Sequence, residues 1–289
     1  MPKDVLQLIQ SNMSTFSKGQ KRIALFIQES YDKAAFMTAS KLGKTVDVSE
    51  STVVRFAAEL GYEGYPAMQK ALQEMIRNKL TSVQRIEVAN DRMGDQDILS
   101  LVMQSDIEKI RMTLEESDRD DFYGAVDAIV EAKRIYILGV RSAAAISSFL
   151  GFYFNLIFDN VVQVHSNSAS EMFEQLLRVG EGDVVIGISF PRYSRRTVQA
   201  LHFARDRKAR VIAITDSAAS PLADSATHTL LAKSDMVSFV DSLVAPLSLV
   251  NALIAAVSRK KKEDLAHTFE TLEKIWDEYQ VYEKVEDET

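Results

Sequence analysis

The sequence predicts two architectures in one chain: an all-α first part, then an α/β half built on a mainly parallel five-stranded sheet. Over residues 1–80, apolar side chains recur at spacings of three and four, the period of amphipathic helices. From residue 134 onward, five short apolar runs rich in β-branched residues alternate with helical segments, the mark of βαβ crossovers. The length of 289 residues and the 46% apolar content are enough for two separate cores.

The elements follow in order. "VLQLIQSNM" (5–13) and "KRIALFIQESY" (21–31) are amphipathic helices, with Ser17 placed to cap the second. "MTASKLGKT" (37–45) is a short third helix. "SESTVVRFAAEL" (49–60) is a fourth, with Ser49 as N-cap, Thr52 in its first turn and Gly61 at its end. "YPAMQKALQEMIRNKL" (65–80) opens the next, with Pro66 in the first turn. Residues 81–96 turn polar and read as a linker, which sets domain bounds of 1–80 and 97–289. Helices over 97–114 and 119–132 precede the strands "RIYILGV" (134–140), "VVQVH" (161–165), "DVVIGIS" (183–189), "RVIAIT" (210–215) and "HTLLAK" (228–233). An apolar helix, "DSLVAPLSLVNALIAAVSRKKK", and an acidic amphipathic end complete the chain.

Charge is unevenly spread. The formal total is −7, yet residues 1–80 hold 11 Lys and Arg against 8 Asp and Glu, while the remainder holds 23 against 33. An acidic total therefore leaves room for a locally basic face towards nucleic acid. The absence of cysteine excludes disulfides and thiolate metal sites, and four scattered histidines form no zinc pattern, so neither a metal nor a cofactor is expected. No window approaches the roughly 18 unbroken apolar residues of a membrane span. No apolar signal region follows Met1-Pro2-Lys3-Asp4, so the expectation is a cytoplasmic protein without a membrane partner.

Within the helical part, "TASKLGKTVDVSESTVVRFAAELGY" (38–62) has helix-turn-helix spacing: a short helix, a break near Val46-Asp47-Val48, and a second helix capped by Ser49. Leu42, Val48, Val53 and Phe56 are the apolar contacts between the two helices. Ser49, Ser51, Thr52 and Arg55 then lie towards the exposed start of the second helix, the part that enters the major groove of double-stranded DNA. Lys41 and Lys44 stand where contacts to the DNA backbone are usual. Asp47 occupies a turn position where glycine is common, and aspartate tolerates such geometry. The competing reading is an ordinary helical hairpin with solvated basic residues.

In an open parallel sheet, ligands bind outside the carboxyl ends of the strands. Three loops qualify: "LGVRSAAA" (138–145), "SNSASE" (166–171) and "ISFPRYSRRT" (188–197). Ser142 opens a helix after a glycine-containing turn, and Ser189 and Ser194 flank the start of another, where unpaired backbone N–H groups favour an anion. Hydroxyls converging on one crevice suit a phosphate ester carrying sugar hydroxyls. Arg141, Arg192, Arg195 and Arg196 add guanidinium groups that recognise phosphate or carboxylate bidentately. Arg195 and Arg196 alternatively face solvent on the helix and pair with carboxylates, for little energy.

These motifs, in this order, resemble the RpiR (MurR) family of bacterial transcriptional regulators, whose second half is a SIS (sugar isomerase) domain. The resemblance rests on "SESTVVRFAAELGYEGYPAMQ", "ILGVRSAAA", "DVVIGISFPRYSRRTVQALHFA" and "RVIAITDSAASPLA", and spans roughly residues 1–260. It implies a flavodoxin-like SIS fold, a phosphosugar effector and no catalytic role. Under it, Ser142 and Ser189 match effector-binding hydroxyls, Ser194 matches a Ser/Thr there, and Ser168 and Ser170 lie in a loop that often joins the site. The sequence departs from the pattern at Ser189-Phe190-Pro191-Arg192-Tyr193-Ser194: where the family commonly reads Ser-x-Ser-Gly-x-Thr, Pro191 replaces the second serine and Arg192 the glycine. The first loop, Gly139-Val140-Arg141-Ser142, lacks the second glycine often seen. The expected effector is therefore a small anionic sugar or sugar phosphate.

The alternative is a SIS-type sugar-phosphate isomerase, which needs a base, with Glu171, His165 and His202 as candidates. "FLGFYFNLIF" (149–158) reads as buried core with one edge free to join subunits, and a homodimer or tetramer would match a palindromic operator. The run Arg259-Lys260-Lys261-Lys262 ends a helix and complements its dipole.

Overall fold

The computed structural model describes residues 5–76, 81–94, 97–165 and 168–283. The chain divides into two compact units, Met1–Ser105 with Asp235–Ser242, and Asp106–Ser234 with Leu243–Thr289.

The first unit is helical. It comprises α1 (Val5–Asn12), α2 (Lys18–Glu29), α3 (Tyr31–Ala34), α4 (Ala39–Thr45), α5 (Glu50–Glu59), α6 (Tyr65–Ile76), α7 (Ser82–Met93) and the first turns of α8 (Ile98–Glu116). Its core joins Ile9, Ile23, Ile27, Leu42, Phe56 and Met68, all buried, so the three- and four-residue spacing read in the sequence does point inward. Ser17 caps α2 in a reciprocal box with Gln20, and Ser49 caps α5 through a bond accepted from Thr52 N. Side chains of α6 satisfy carbonyls left open between α3 and α4: Tyr65 Oη donates to Met37 O at 2.6 Å, and Gln69 and Gln73 donate to Met37 O and Ala35 O.

Where the sequence reads as a polar linker over 81–96, the structure has α7, capped by Thr81 and Gln84 in a second capping box. Its buried face carries Arg85 beside Val88 and Ala89, while Val83 and Ile86 are exposed. A buried guanidinium and two exposed aliphatics blur the apolar period that marks a helix in sequence. The first unit also runs past the expected boundary, to Ser105, and takes in Asp235–Ser242.

The second unit is a parallel sheet in the order β2-β1-β3-β4-β5, formed by β1 (Ile135–Gly139), β2 (Val161–Val164), β3 (Val184–Ile188), β4 (Arg210–Thr215) and β5 (His228–Leu231). β-Branched runs buried on both faces produce this pattern. Ile135 and Ile137 face a core with α9 (Arg119–Val130), α10 (Ala143–Ile157) and α13 (Val244–Lys260). Tyr136 and Leu138, one residue out of phase, face the other core with α11 (Ala169–Gln175) and α12 (Arg195–Asp206). The chain closes with α14 (Lys262–Glu278). The order reverses direction at β1, whose two neighbours are β2 and β3, and this opens a crevice at the carboxyl ends of β1 and β3.

The apolar stretch on α10 divides as expected. Leu150, Phe154 and Ile157 are buried, whereas Phe152 is 63% exposed and leaves one edge open. Lys260 pairs with Asp127 and Lys261 with Asp264, so two members of the basic run are held by neighbouring carboxylates. Among the described residues, no helix is long and apolar enough to cross a membrane.

Candidate functional site

In the helical unit, α4 and α5 form the helix-turn-helix. Leu42, Val53 and Phe56 are fully buried between and beneath them. The turn is tight: a Cβ at Gly43 would lie 2.8 Å from the carbonyl oxygen of Val48, closer than a side chain tolerates. Asp47 adopts a left-handed φ of 53°, the conformation that glycine takes freely and aspartate accepts. The Arg22 guanidinium donates to Asp47 Oδ2 at 3.0 Å and steadies this turn.

At the start of α5, the hydroxyls form one cluster. Ser49 Oγ lies 2.9 Å from Ser51 Oγ and 2.8 Å from Thr52 Oγ1, besides accepting from Thr52 N. Arg55 lies one turn further on, exposed, with Nε donating to Ser51 O at 3.3 Å. Lys41 and Lys44 are exposed on α4. The six residues expected to meet DNA thus lie on these two adjoining helices and their caps.

In the α/β unit, a cavity of about 680 Å³ opens at the carboxyl ends of β1, β2 and β3, within the size range of small-molecule sites. Its wall includes Arg141, Arg192, Arg195 and Arg196, with Ser194 and His165. No Asp or Glu is part of that wall among the described residues. Arg141 and Arg192 both hold left-handed backbone, with φ of 59° and 64°. These are the places where the sequence carries arginine in loops that usually hold glycine.

The serines divide differently from the expectation. Ser194 lines the cavity and caps α12 by accepting from Thr197 N at 3.3 Å. Ser189 is buried and accepts from Ser194 N at 3.1 Å, so its hydroxyl closes the loop and is not part of the cavity wall. Ser142 precedes α10 without a side-chain cap, and Ser168 caps α11 by accepting from Glu171 N, with Ser170 Oγ at 3.1 Å. None of Ser142, Ser168 and Ser170 lines the cavity. Ser166 and Asn167 of that loop lie outside the described residues.

The wall also includes residues that the sequence did not single out, among them Gln163, Ser147 and Tyr193. Gln163 is polar within the apolar run of β2, and its Nε2 donates to Ser147 Oγ at 2.6 Å; both line the cavity. The visible signal was that interruption of an apolar strand. Tyr193 also lines the wall, and its hydroxyl donates to Asp216 Oδ1 at 2.8 Å. Of the bases considered for an isomerase, His165 is in the wall, whereas Glu171 is not and His202 pairs with Ser225 Oγ at 2.7 Å.

A helix-turn-helix unit followed by a doubly covered parallel α/β unit is the make-up of a DNA-binding transcriptional regulator carrying a sugar-isomerase domain. Comparison with known proteins agrees with both halves: residues 3–79 match the helix-turn-helix domain of the rpiR family, and residues 128–256 match the SIS domain. The chain belongs to the RpiR family of transcriptional regulators. It is 28% identical over 225 residues to the HTH-type transcriptional regulator HexR of Escherichia coli K12, covering 78% of this chain and 76% of that one. Among solved structures, it resembles the sugar isomerase domain of an RpiR transcription factor from Sphaerobacter thermophilus, with a TM-score of 0.57 and 29% identity over 62% of this chain and 99% of the other. The fold of Vibrio vulnificus NanR, solved in complex with ManNAc-6P, is also similar, with a TM-score of 0.58 and 23% identity, covering 94% of this chain and 98% of that one.

Proposed function

We propose that this regulator reads its operator through α5 and that a small anionic sugar phosphate or sugar acid, bound in the α/β cavity, sets its affinity for DNA. One observation carries the ligand assignment: four guanidinium groups share one cavity wall that contains no carboxylate among the described residues. Such an environment favours an anion, and planar guanidinium groups suit phosphate and carboxylate alike. The ManNAc-6P bound by NanR, a protein of similar fold, is of this chemical kind. On this reading Arg141, Arg192, Ser194 and Arg195 hold the effector. Ser49, Ser51, Thr52 and Arg55 meet base edges and phosphates, and Lys41 and Lys44 meet the DNA backbone.

The protein works without catalysis of its own on this proposal. An isomerase requires a positioned base, and His165 is the one imidazole or carboxylate in the wall among the described residues. Two copies would present two reading helices to half-sites about 34 Å apart or a multiple of that. Coupling between effector and operator is typically worth about 1–3 kcal/mol.

Fluorescence anisotropy on the DNA upstream of its own gene, at fixed salt, tests the whole scheme. The titration uses a panel of sugar phosphates and sugar acids. Tight, sequence-selective binding that one compound shifts is expected, and Arg192→Ala should abolish the shift while leaving binding of the free protein intact. An unshifted parent protein across the panel, or turnover of a compound in the panel, would overturn the assignment.

A further inference from the structure

The reading helix has a neighbour with unspent charge. The segment that opens α2 is anchored against α5 at two points: the rings of Phe16 and Phe56 are 5.1 Å apart, and a Cβ at Gly19 would lie 3.5 Å from Thr52 Cγ2 and 3.4 Å from Val48 Cγ1. The first turn of α2 therefore abuts the first turn of α5, with no side chain between them at Gly19. Lys18 and Lys21, on that same stretch, are both exposed, and among the described residues neither has an ion pair. Arg22, one residue on, pairs with Asp47.

The arrangement runs against the intrinsic preference of a helix. The amino end of a helix carries partial positive charge and favours acids, yet α2 has no acidic residue in its first turn and holds two lysines in its first four residues. Among the described residues, no carboxylate compensates either lysine within ion-pair distance. A polyanion lying across the start of α5 would.

We propose that Lys18 and Lys21 form a second grip on the DNA backbone, beside the reading helix and separate from Lys41 and Lys44 on α4. The inference rests on the proposal that α5 enters the operator. Lysine serves a phosphate as a point charge and carries no base pattern. The pair therefore contributes affinity and salt dependence to every sequence alike, whereas Arg55 discriminates between sequences.

The test compares the parent chain with the Lys18→Gln/Lys21→Gln double variant. Anisotropy is measured on the upstream DNA and on a scrambled duplex of equal length, across a salt series. Lys262→Gln, in the α/β unit, serves as a charge control, and thermal melting confirms that each variant is folded. Each lost phosphate contact lowers the slope of log affinity against log salt by about 0.9 on B-form DNA, so the double variant should lose about 2 per bound protomer, or about 4 for two copies on both half-sites. Affinity for both duplexes should fall by the same factor, while the control keeps the parent slope. An unchanged slope in the double variant, a loss confined to the upstream DNA, or an equal loss in Lys262→Gln would overturn the proposal. A parent chain that binds neither duplex would overturn the operator reading as well, so the two failures are distinguishable.

Discussion

Two arginines sit where the backbone itself would prefer glycine. Holding a residue with a Cβ in left-handed conformation costs about 1 kcal/mol, and Arg141 and Arg192 both do so at the mouth of the same cavity. This strain makes a prediction that separates stability from binding. Arg192→Ala keeps the strain and loses the guanidinium, whereas Arg192→Gly loses both. In urea unfolding, Arg192→Gly should therefore be more stable than Arg192→Ala by up to about 1 kcal/mol, partly offset by the greater freedom of glycine in the unfolded chain. Neither variant should respond to the sugar phosphate or acid that shifts the parent. Full response in both would remove Arg192 from the site. The guanidinium cluster was legible in the sequence, because three arginines stand within five residues shortly after an apolar strand. The role of Ser189 was not, since whether a hydroxyl faces a ligand or a backbone N–H depends on the path of the five residues that follow it.

Among the elements, the helix-turn-helix depends on one close approach. Gly43, in the last turn of α4, lies directly against the Val48 carbonyl, so Gly43→Ala forces backbone to move and should cost about 1–3 kcal/mol of helical-unit stability in chemical denaturation. A neutral result would show that the turn yields more readily than its packing implies. Tyr65 on α6 provides a pH test. Burial pushes its hydroxyl up to about 12 from an ordinary value near 10, and in the folded chain the proton is held towards Met37 O. A group raised in this way stabilises fully below pH 10, and its contribution is lost as pH rises through 12, because the unfolded chain releases the proton first. Denaturant midpoints should therefore fall between pH 10 and 12, and less steeply in Tyr65→Phe. Helix α7 shows where periodicity stops being informative. Its buried face includes Arg85, so the pattern of apolar residues does not record which side is covered.

At the scale of the whole molecule, the chain does not divide at one point. Asp235–Ser242 follows β5 by a few residues in sequence, yet belongs to the helical unit. There Asp241 accepts two bonds from Arg85 Nη1, each at 3.0 Å, with side chains only 6% and 18% exposed. Removing one partner of a buried pair costs about 3 kcal/mol or more, so Asp241→Ala should lower the stability of the helical unit by that order. A fragment ending at residue 105 should show a similar deficit against the same unit in the full chain, and equal melting of the two would contradict this role for the segment. The two architectures, the caps at Ser17 and Ser49, the five strands and the gathering of arginines are all written in local spacing or in short motifs, and so are legible along the chain. Which serines line the cavity, the helical state of α7, and the placing of a segment after β5 in the other unit emerge only once the chain is packed. Those outcomes depend on contacts between residues up to 156 positions apart, which leave no periodic trace along the chain.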